Sequence, residues 1–316
     1  MSYEVDFDFF TTNLDASAIA TERLRLGKFT GVVSGMPSDY YHSLTGYYSS
    51  SDLKEMYSTS PRHFKNYWKK KIDPSSTSKS SEPMLLGSGV HSMLLTPQIF
   101  DEEFRVVEKV DKRTTAGKAY AVELEFETRY LINADQKTKI EKMCQSVLAI
   151  KRNKNLLQGG VPELALFWEC PFSGLMFKAK VDMMGDNHFI ELKTCRDGSP
   201  DGFGKDAYNM NYDLSLRHYQ VGIEAMFEKK LPPYIMSVEN TEPFVAQTYR
   251  ASEMLMETGH AKWLSAVSAL SDCVKSDVWY GYFNSEMQEV EPELSPPVWG
   301  IRQLGIELKV EDSDGI

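Results

Sequence analysis

The sequence predicts a single α/β domain with a central mixed β-sheet flanked by helices. Helical patterns lie on both sides of a central run of strand patterns, and no internal repeat divides the 316 residues. Hydrophobic residues make up 42% of the chain and charged residues 25%, an ordinary globular mixture that excludes a disordered chain. We expect residues 1–40 to form an N-terminal extension, 41–305 the folded domain, and 306–316 an acidic C-terminal tail.

The N-terminal elements are predicted from local signals. Ser49 to Ser51 precede a segment in which Leu53 and Met56 share one face, which is typical of a capped helix N-terminus. Pro61 then opens a second helix. The other expected elements here are a short helix at 15–26, an extended segment at 27–37, a Ser/Lys/Pro-rich loop at 71–82 and an apolar helix at 84–95.

The remaining elements follow from alternation, periodicity and turn residues. Gly185-Asp186-Asn187 separates two alternating apolar runs, which is a hairpin signal. In chain order we expect strand 104–110, loop 112–118, helices 119–131 and 135–153, strands 164–168, 175–184 and 188–195, loop 196–211, helix 213–229, strands 233–239 and 243–250, and a helix from 252 to about 270.

The net charge of −10 argues against a passive nucleic-acid coat, which would be basic, but not against an enzyme that acts on nucleic acid. No stretch approaches the roughly 18 apolar residues of a membrane span. The N-terminus MSYEVDFDFF lacks the basic and apolar regions of a secretory signal. Four cysteines are too few for a disulfide framework, so we expect a reducing cytoplasm.

The hairpin carries charges that can serve catalysis. Because side chains alternate along a strand, Lys178, Lys180 and Asp182 share one face, and so do Glu191 and Lys193. If the strands pair in register, Asp182, Glu191 and Lys193 converge on one patch. Two carboxylates there would hold a hard divalent cation, and a lysine beside them would orient water or stabilise charge on a phosphate.

The alternative is a solvated hairpin with an ordinary Glu–Lys cross-strand pair. Charges in core-like strands are usually paired or bound to metal, which favours the metal hypothesis. The apolar neighbours that make these strands core-like are Val181, Met183, Met184, Phe189, Ile190 and Leu192.

Asp182, followed nine residues later by Glu191-Leu192-Lys193, fits the core signature of the PD-(D/E)xK nuclease superfamily. That signature occurs by chance, but an ordered set of further stretches resembles the RecE-type (exonuclease eight) family of phages and prophages. The stretches are YYSSSDLKEMYSTSPRHF at 47–64, LGSGVHSMLLTPQIFDEEF at 86–104, RTTAGK at 113–118, PELALFWE at 162–169, KAKVDMM at 178–184, IELKT at 190–194, HYQ at 218–220, SDVWYGY at 276–282 and SPPVW at 295–299.

The resemblance implies a set of metal ligands and catalytic groups. The implied ligands are His91, Glu163, Asp182, Glu191 and the carbonyl of Leu192. Lys193 would be the catalytic lysine, and Gln220 would orient water or that lysine. Alternatives stay open: His91 as a core histidine, Glu163 as a surface glutamate with Glu169 as the competing acid, and Gln220 as a buried amide with structural partners.

The implied DNA contacts are Ser49, Ser51, Arg113, Lys118, Lys180 and Tyr219. The serines could instead only cap a helix, the loop carrying Arg113 and Lys118 could be merely solvated, and Tyr219 could be a core residue. Lys180 stands where the best-known member of the family has arginine. Its phosphate contact would then be looser.

By the same resemblance, the chain is expected to be a Mg²⁺-dependent exonuclease, with Mn²⁺ as a substitute, that degrades one strand of duplex DNA from the 5′ end for phage-type recombination. The alternatives are a nuclease of other polarity, an endonuclease, or a non-catalytic module that binds DNA ends. Neither zinc nor an iron–sulfur cluster is expected, because the cysteines show no ligand spacing; they are Cys144, Cys170, Cys195 and Cys273.

The expected partners are double-stranded DNA ends, a single-strand annealing protein and further copies of the chain in a tetrameric ring, with no membrane, in the cytoplasm of a bacterial host. A ring would lessen the need for a large basic face, with Lys112, Lys118, Lys178 and Lys180 lining the DNA path. The aromatic, proline-rich C-terminal segment is either a ring interface or a strap over its own domain; it contains Trp279, Tyr280, Tyr282, Pro296, Pro297 and Trp299.

Overall fold

The structure is a computed structural model and describes residues 4–6, 22–73, 81–108, 113–282, 294–297, 301 and 303. Its strands are β1 Glu4–Asp6, β2 Gly31–Ser34, β3 Phe104–Val106, β4 Tyr130–Ile132, β5 Val161–Glu169, β6 Met176–Met184, β7 Phe189–Cys195, β8 Pro233–Glu239 and β9 Ala246–Arg250. Its helices are α1 Ser38–Ser43, α2 Ser50–Ser58, α3 Pro61–Ile72, α4 Glu82–Leu95, α5 Phe100–Glu103, α6 Thr115–Glu125, α7 Ala134–Ala149, α8 Lys151–Leu157, α9 Pro200–Asn209, α10 Tyr212–Phe227 and α11 Glu253–Ser276.

A seven-stranded mixed sheet with the order β1-β2-β5-β6-β7-β8-β9 forms the centre of the protein. The pairs β1–β2 and β7–β8 are parallel, and the other neighbouring pairs are antiparallel. The parallel β7–β8 pair requires a crossover, which α9 and α10 supply. Strands β3 and β4 form a separate two-stranded parallel sheet. The prediction of a mixed sheet flanked by helices is therefore confirmed.

Apolar side chains are buried on both faces of the sheet. One cluster joins the sheet to α2, α3, α10 and α11, with Phe64, Trp168 and Trp263 among its largest members. A second joins β7 and β8 to α4 and α7 through Ile140, Leu192 and their neighbours. The central strands β6 and β7 are thus enclosed by helices on both sides, which makes any charge on them costly unless it is partnered.

The N-terminal segment contributes to the sheet, which corrects the expectation that residues 1–40 stand apart as an extension. Val32 and Val33 of β2 pair with Leu166 and Ala165 of β5 and are fully buried. A third cluster packs Leu24, Phe29 and their neighbours around Phe167. These apolar side chains explain why this part of the segment folds onto the domain rather than extending from it.

Several element boundaries differ from those expected. Part of the expected loop 112–118 belongs to α6, and the C-terminal end of expected helix 119–131 forms β4. The expected loop 196–211 contains α9, where Ser199 caps the helix and Pro200 occupies its first position. The Ser-Pro pair was the available signal for this helix. The expected strands of the hairpin are confirmed with shifts of one residue at their starts.

The described part of the C-terminal segment folds over its own domain. Trp279 stacks on Phe64 with ring centroids 6.0 Å apart, and the backbone nitrogen of Arg62 donates to the Tyr280 carbonyl at 2.9 Å. This favours the strap interpretation for these residues. Trp299 and the tail 306–316 lie outside the described residues. Among the described helices, none combines the length and apolarity that crossing a bilayer would require.

Candidate metal centre

Three acidic side chains come from neighbouring strands at one level of the sheet. The register places Met183 of β6 opposite Pro162 of β5 and Ile190 of β7. The adjacent position on each strand carries an acid, so Glu163 of β5, Asp182 of β6 and Glu191 of β7 lie in one row. The described β6–β7 ladder ends with the Met183–Ile190 pair, so the two strands separate where the acids lie. The backbone at Glu163 has φ 51°, a strained conformation for a residue other than glycine and one that often occurs at functional sites.

His91 reaches this row from α4. Its Nε2 lies 2.9 Å from the Leu192 carbonyl, and its Nδ1 lies 3.6 Å from Asp182 Oδ1 and 4.0 Å from Glu163 Oε1. A carbonyl only accepts, so Nε2 is the donor, and a neutral imidazole then directs its Nδ1 lone pair at two carboxylates. Burial, and then the charge of Lys193, lowers the pKa of His91 and favours that neutral form.

Gly89 allows α4 to lie this close to its neighbours. A Cβ at this position would lie 2.4 Å from Cδ1 of Ile140 on α7, which is far inside van der Waals contact. The glycine therefore has a packing role, because it lets α4 and α7 approach each other closely.

Asp182 and Glu191 are both buried. The Leu192 backbone nitrogen donates to Asp182 Oδ2 at 2.7 Å. Burial, and then the charge of Glu191, raises the pKa of Asp182 well above its usual range. Lys193 contacts Glu191 Oε1, whereas Glu191 Oε2 is buried without a hydrogen-bond partner.

The charge balance of the site also affects Lys193. Its burial lowers the pKa of the ammonium, but the charges of Glu191 and Asp182 outweigh this and raise the pKa above its usual value. Lys193 therefore remains a cation at neutral pH. Two ammoniums, those of Lys193 beside Glu191 and of Lys180 beside Glu163, cannot neutralise three ionised carboxylates, so the site retains excess negative charge.

The donors at this centre fit a divalent cation. The ligating atoms of His91, Glu163 and Asp182 all lie within 4.8 Å of one another. Glu191 Oε2, which is buried without a hydrogen-bond partner, is a further acceptor. Oxygen-rich sites of this kind suit hard cations such as Mg²⁺.

Most of the predicted metal and catalytic residues converge here. Glu163, rather than the exposed Glu169, lies at the site. The Leu192 carbonyl faces the centre but accepts hydrogen bonds from His91 and Lys193. The individual roles of these residues stay predictions.

For Gln220, expected to orient water or Lys193, the structure favours the alternative of a buried amide with structural partners. Its Nε2 donates to the Leu231 carbonyl at 3.0 Å, and its Oε1 accepts from Arg217 Nη1 at 2.7 Å. Both ends of the amide are satisfied by structural partners. For its neighbour Tyr219, burial, followed by the charges of Glu191 and Asp182, raises the pKa.

Of the predicted DNA-contacting residues, two lie beside the centre. Tyr219 lies close to Ser50 of α2 and to the charges of Glu191 and Asp182. Lys180 lies 2.5 Å from Glu163 Oε2 and 2.8 Å from Ser38 Oγ, so it borders the carboxylates. A role of Lys180 and Tyr219 in DNA binding stays a prediction.

The other four predicted DNA contacts have different settings. Ser49 caps α2 and shares a capping box with Asp52, which favours its structural interpretation. Ser51, Arg113 and Lys118 are exposed, and Lys118 lies within α6 rather than in a loop. Contact of these residues with DNA stays a prediction.

Lys178 does not line a DNA path, which corrects the expectation for this lysine. It is 1% exposed, and its Nζ donates to the carbonyls of Tyr41 and Leu44 at 2.6 Å each. Strand alternation predicts the face on which a side chain lies but not what covers that face. Here the end of α1 covers it.

Sequence reasoning missed Lys54 and Tyr212. Lys54 of α2 and Lys193 lie 5.6 and 5.5 Å from the centre of the Tyr212 ring. The sequence offers one signal for Lys54, its position one turn after the serines that begin α2. No local signal marks Tyr212, which follows a residue in the left-handed conformation at the start of α10.

Comparison with solved structures supports the fold. A crystal structure described as a "Putative exonuclease" from Eubacterium rectale matches with a TM-score of 0.57 and 15% identity, covering 86% of this chain and 99% of that chain. SSO0001 matches with a TM-score of 0.27 and 13% identity over 77% and 95% of the two chains. LHK-Exo in complex with dAMP matches with 0.24 and 14% over 61% and 94%. Only the first is similar enough to carry an argument, and at this identity it shows a shared fold.

Comparison with protein families gives the classification. No curated protein matches the sequence significantly. A family described as "PDDEXK-like domain of unknown function (DUF3799)" matches residues 49–289, which is most of the chain. The predicted PD-(D/E)xK fold is thereby confirmed, whereas the RecE-type assignment stays a prediction. The chain belongs to this PDDEXK-like family.

Proposed function

We propose that this protein is a Mg²⁺-dependent exonuclease that degrades one strand of double-stranded DNA in the 5′-to-3′ direction. The observation that carries the proposal is the meeting of Glu163, Asp182, Glu191 and Lys193 where β6 and β7 separate. The fold shared with a structure described as a "Putative exonuclease" is consistent with this chemistry. The polarity rests on the sequence resemblance to RecE-type enzymes.

The residues that would hold the cation are His91, Glu163, Asp182 and Glu191, with the Leu192 carbonyl beside them. A bound divalent cation supplies Lewis acidity, lowers the pKa of water and neutralises charge on a phosphate. Mn²⁺ meets the same ligand requirements and is expected to substitute.

The side chains of the protein position the reaction. The Lys193 ammonium, held by Glu191, would orient the attacking water and stabilise charge that develops on the phosphate oxygens. His91 holds its ring orientation through the Leu192 carbonyl, which keeps Nδ1 directed at the acids. The apolar residues on both faces of the sheet exclude bulk water and strengthen these interactions.

Cleavage of two substrates tests the activity. In the presence of Mg²⁺, a linear duplex with 5′ phosphates should lose its 5′-ended strands and leave single-stranded DNA, and a covalently closed circle of the same sequence should remain intact. Cutting of the circle would show an endonuclease. Degradation starting at a labelled 3′ end would reverse the proposed polarity, and binding of ends without cleavage would support a non-catalytic module.

We further propose that the protein works as a homo-oligomer, in a tetrameric ring, and supplies single strands to an annealing protein in phage-type recombination. A ring would retain DNA despite the net charge of −10. Light scattering at micromolar concentration should give a multiple of 36.0 kDa. A mass equal to that of one chain would contradict the ring.

A further inference from the structure

Lysine and tyrosine side chains form a continuous row from the metal centre to the surface. Lys193 and Lys54 both lie over the Tyr212 ring, at 5.5 and 5.6 Å from its centroid. Their ammonium groups are therefore no farther apart than the sum of those distances. This is the range over which neighbouring phosphates of one nucleic-acid strand can each meet a lysine.

The row continues along α2 to two exposed aromatic rings. Tyr57 lies three residues after Lys54, so both occupy the same side of the helix. Tyr57 is 41% exposed and Tyr208, at the end of α9, is 56% exposed. Lys262 lies beneath both rings, 5.8 Å from that of Tyr57 and 3.9 Å from that of Tyr208. We call Lys54, Tyr57, Tyr208 and Tyr212 the lysine–tyrosine strip.

Buried contacts fix the elements that carry the strip. Asn211 Nδ2 donates to Ser58 Oγ at 2.9 Å and so ties the end of α2 to the start of α10. Lys262 is 6% exposed and its Nζ lies 3.0 Å from Asp213 Oδ2. Its charge is thereby neutralised, which leaves Lys262 as a support for the rings and not as a ligand-binding cation.

Lys54 is the cation of the strip that remains available. Within the described ranges no carboxylate lies within salt-bridge distance of its Nζ, whereas Lys193 is paired with Glu191. Burial, followed by the charge of Lys193, lowers the pKa of Lys54. An anion placed between these two lysines would relieve their repulsion.

The combination identifies a class of ligand. Proteins that hold single-stranded nucleic acid alternate cations, which contact the backbone, with aromatic rings, on which bases stack. Bases within an intact duplex present no free face to Tyr57 or Tyr208. The strip therefore suits a strand that has left the duplex.

We propose that the lysine–tyrosine strip binds single-stranded DNA that leads into the metal centre, with Lys54 contacting a phosphate and Tyr57 and Tyr208 stacking on bases. The link to the centre rests on the proposed nuclease function, whereas binding by the strip does not require cleavage. An exonuclease with such a strip would separate the terminal base pairs before hydrolysis.

Binding without metal tests the strip separately from cleavage. In EDTA, fluorescence anisotropy with labelled oligothymidylate of about 16 nucleotides should show that Tyr57→Ala and Tyr208→Ala each weaken binding about tenfold. Tyr57→Phe should bind like the wild type, because stacking needs the ring and not the hydroxyl. Lys54→Met should reduce the slope of log affinity against log salt by about 0.7.

Matched controls come from other exposed positions. Tyr130→Ala removes an exposed tyrosine of β4, and Lys70→Met an exposed lysine of α3. Both should bind like the wild type, and blunt duplex binding should change less than single-strand binding in the strip variants. Equal losses in controls and strip variants, unchanged binding in all strip variants, or no binding by the wild type would each overturn the strip. A different outcome separates the two proposals. If the wild type bound single strands but did not cleave duplex, and the strip variants lost binding, the strip would be supported and the proposed nuclease function would be contradicted.

Discussion

Two buried charged clusters lie on opposite sides of α2, and they differ in how completely their charges are partnered. At Asp52, 0% exposed, Oδ1 accepts from Tyr67 and Lys71, and Oδ2 accepts from Ser49 and Lys71. At the metal centre, three carboxylates face the ammoniums of Lys193 and Lys180, the Glu191 Oε2 atom has no hydrogen-bond partner, and the His91 Nδ1 lone pair points at the acids.

The difference distinguishes a structural ion pair from a binding site. Buried polar groups are normally satisfied, so a saturated cluster such as that of Asp52 needs no ligand. An excess of buried acceptors raises the energy of the folded protein until a cation enters. Burial and charge alone do not separate the two clusters, because Asp182 and Glu191 are only 8% and 4% exposed. What separates the two clusters is whether each buried acceptor has a hydrogen-bond donor.

The largest expected effect is the loss of cleavage in Asp182→Asn. A divalent cation contributes several kcal/mol to such chemistry, so we expect a decrease of at least about 10³-fold in the rate constant. The unfolding free energy in EDTA should not decrease, because the substitution removes repulsion from Glu191. Single-turnover kinetics and urea denaturation measure the two quantities. Asp186→Asn, at an exposed turn, is the matched control; wild-type cleavage by Asp182→Asn would show that the centre is not catalytic.

Asp52→Asn should have the opposite profile. Breaking a buried pair leaves Lys71 uncompensated and should lower the unfolding free energy by about 3–5 kcal/mol. Urea denaturation measures this loss, and the same loss in Lys71→Met, with partial recovery in the double variant, would identify the pair as its source. Divalent-cation affinity of the folded fraction should stay at the wild-type value. A changed affinity with unchanged stability would erase the distinction between the clusters.

Part of this comparison could be predicted from sequence. Strand alternation and the turn at 185–187 predict that Asp182 and Glu191 meet, since the pattern fixes both faces and register. The same pattern fails for Lys178, because it does not reveal that α1 covers that face. Helix periodicity correctly predicts that Gln220 is buried but not that Leu231, in the following loop, is its partner. Sequence periodicity thus gives orientation, whereas the identity of a distant partner requires the tertiary structure.

Lys193→Met tests the role of the lysine within the metal centre. The ammonium is one stabilising donor among several, so its loss should decrease the rate about 10²-fold. Cation affinity measured by calorimetry should remain or increase, because a positive charge leaves the site. Lys70→Met, which removes an exposed lysine of α3, should change neither quantity. If Lys193→Met lost cation affinity in proportion to rate, Lys193 would be a structural partner of the carboxylates, like Lys71 beside Asp52.

The smallest expected effect is a pH dependence of stability that arises from Lys178, which lies near the Asp52 cluster. Burial, and then the charge of Lys71, lowers the pKa of Lys178 from 10.5 to about 7. Between these values the unfolded chain binds the proton and the folded protein does not, so stability rises with pH, by at most about 1.4 kcal/mol per pH unit. The neutral amine keeps two N–H groups, enough for the carbonyls of Tyr41 and Leu44.

The comparison of wild type with Lys178→Met isolates this contribution from other titrating groups. Urea denaturation from pH 7 to 9 should show the wild type gaining stability relative to the variant, and below pH 7 the difference should level off as Lys178 becomes charged in both states. Lys180→Met is the matched control, because Lys180 lies two residues away on the same strand and is paired with Glu163 rather than enclosed by carbonyls. Parallel curves for wild type and Lys178→Met would mean that Lys178 stays charged when buried. In that case the cluster near Asp52 would carry an uncompensated cation, and complete partnering would no longer separate it from the metal centre.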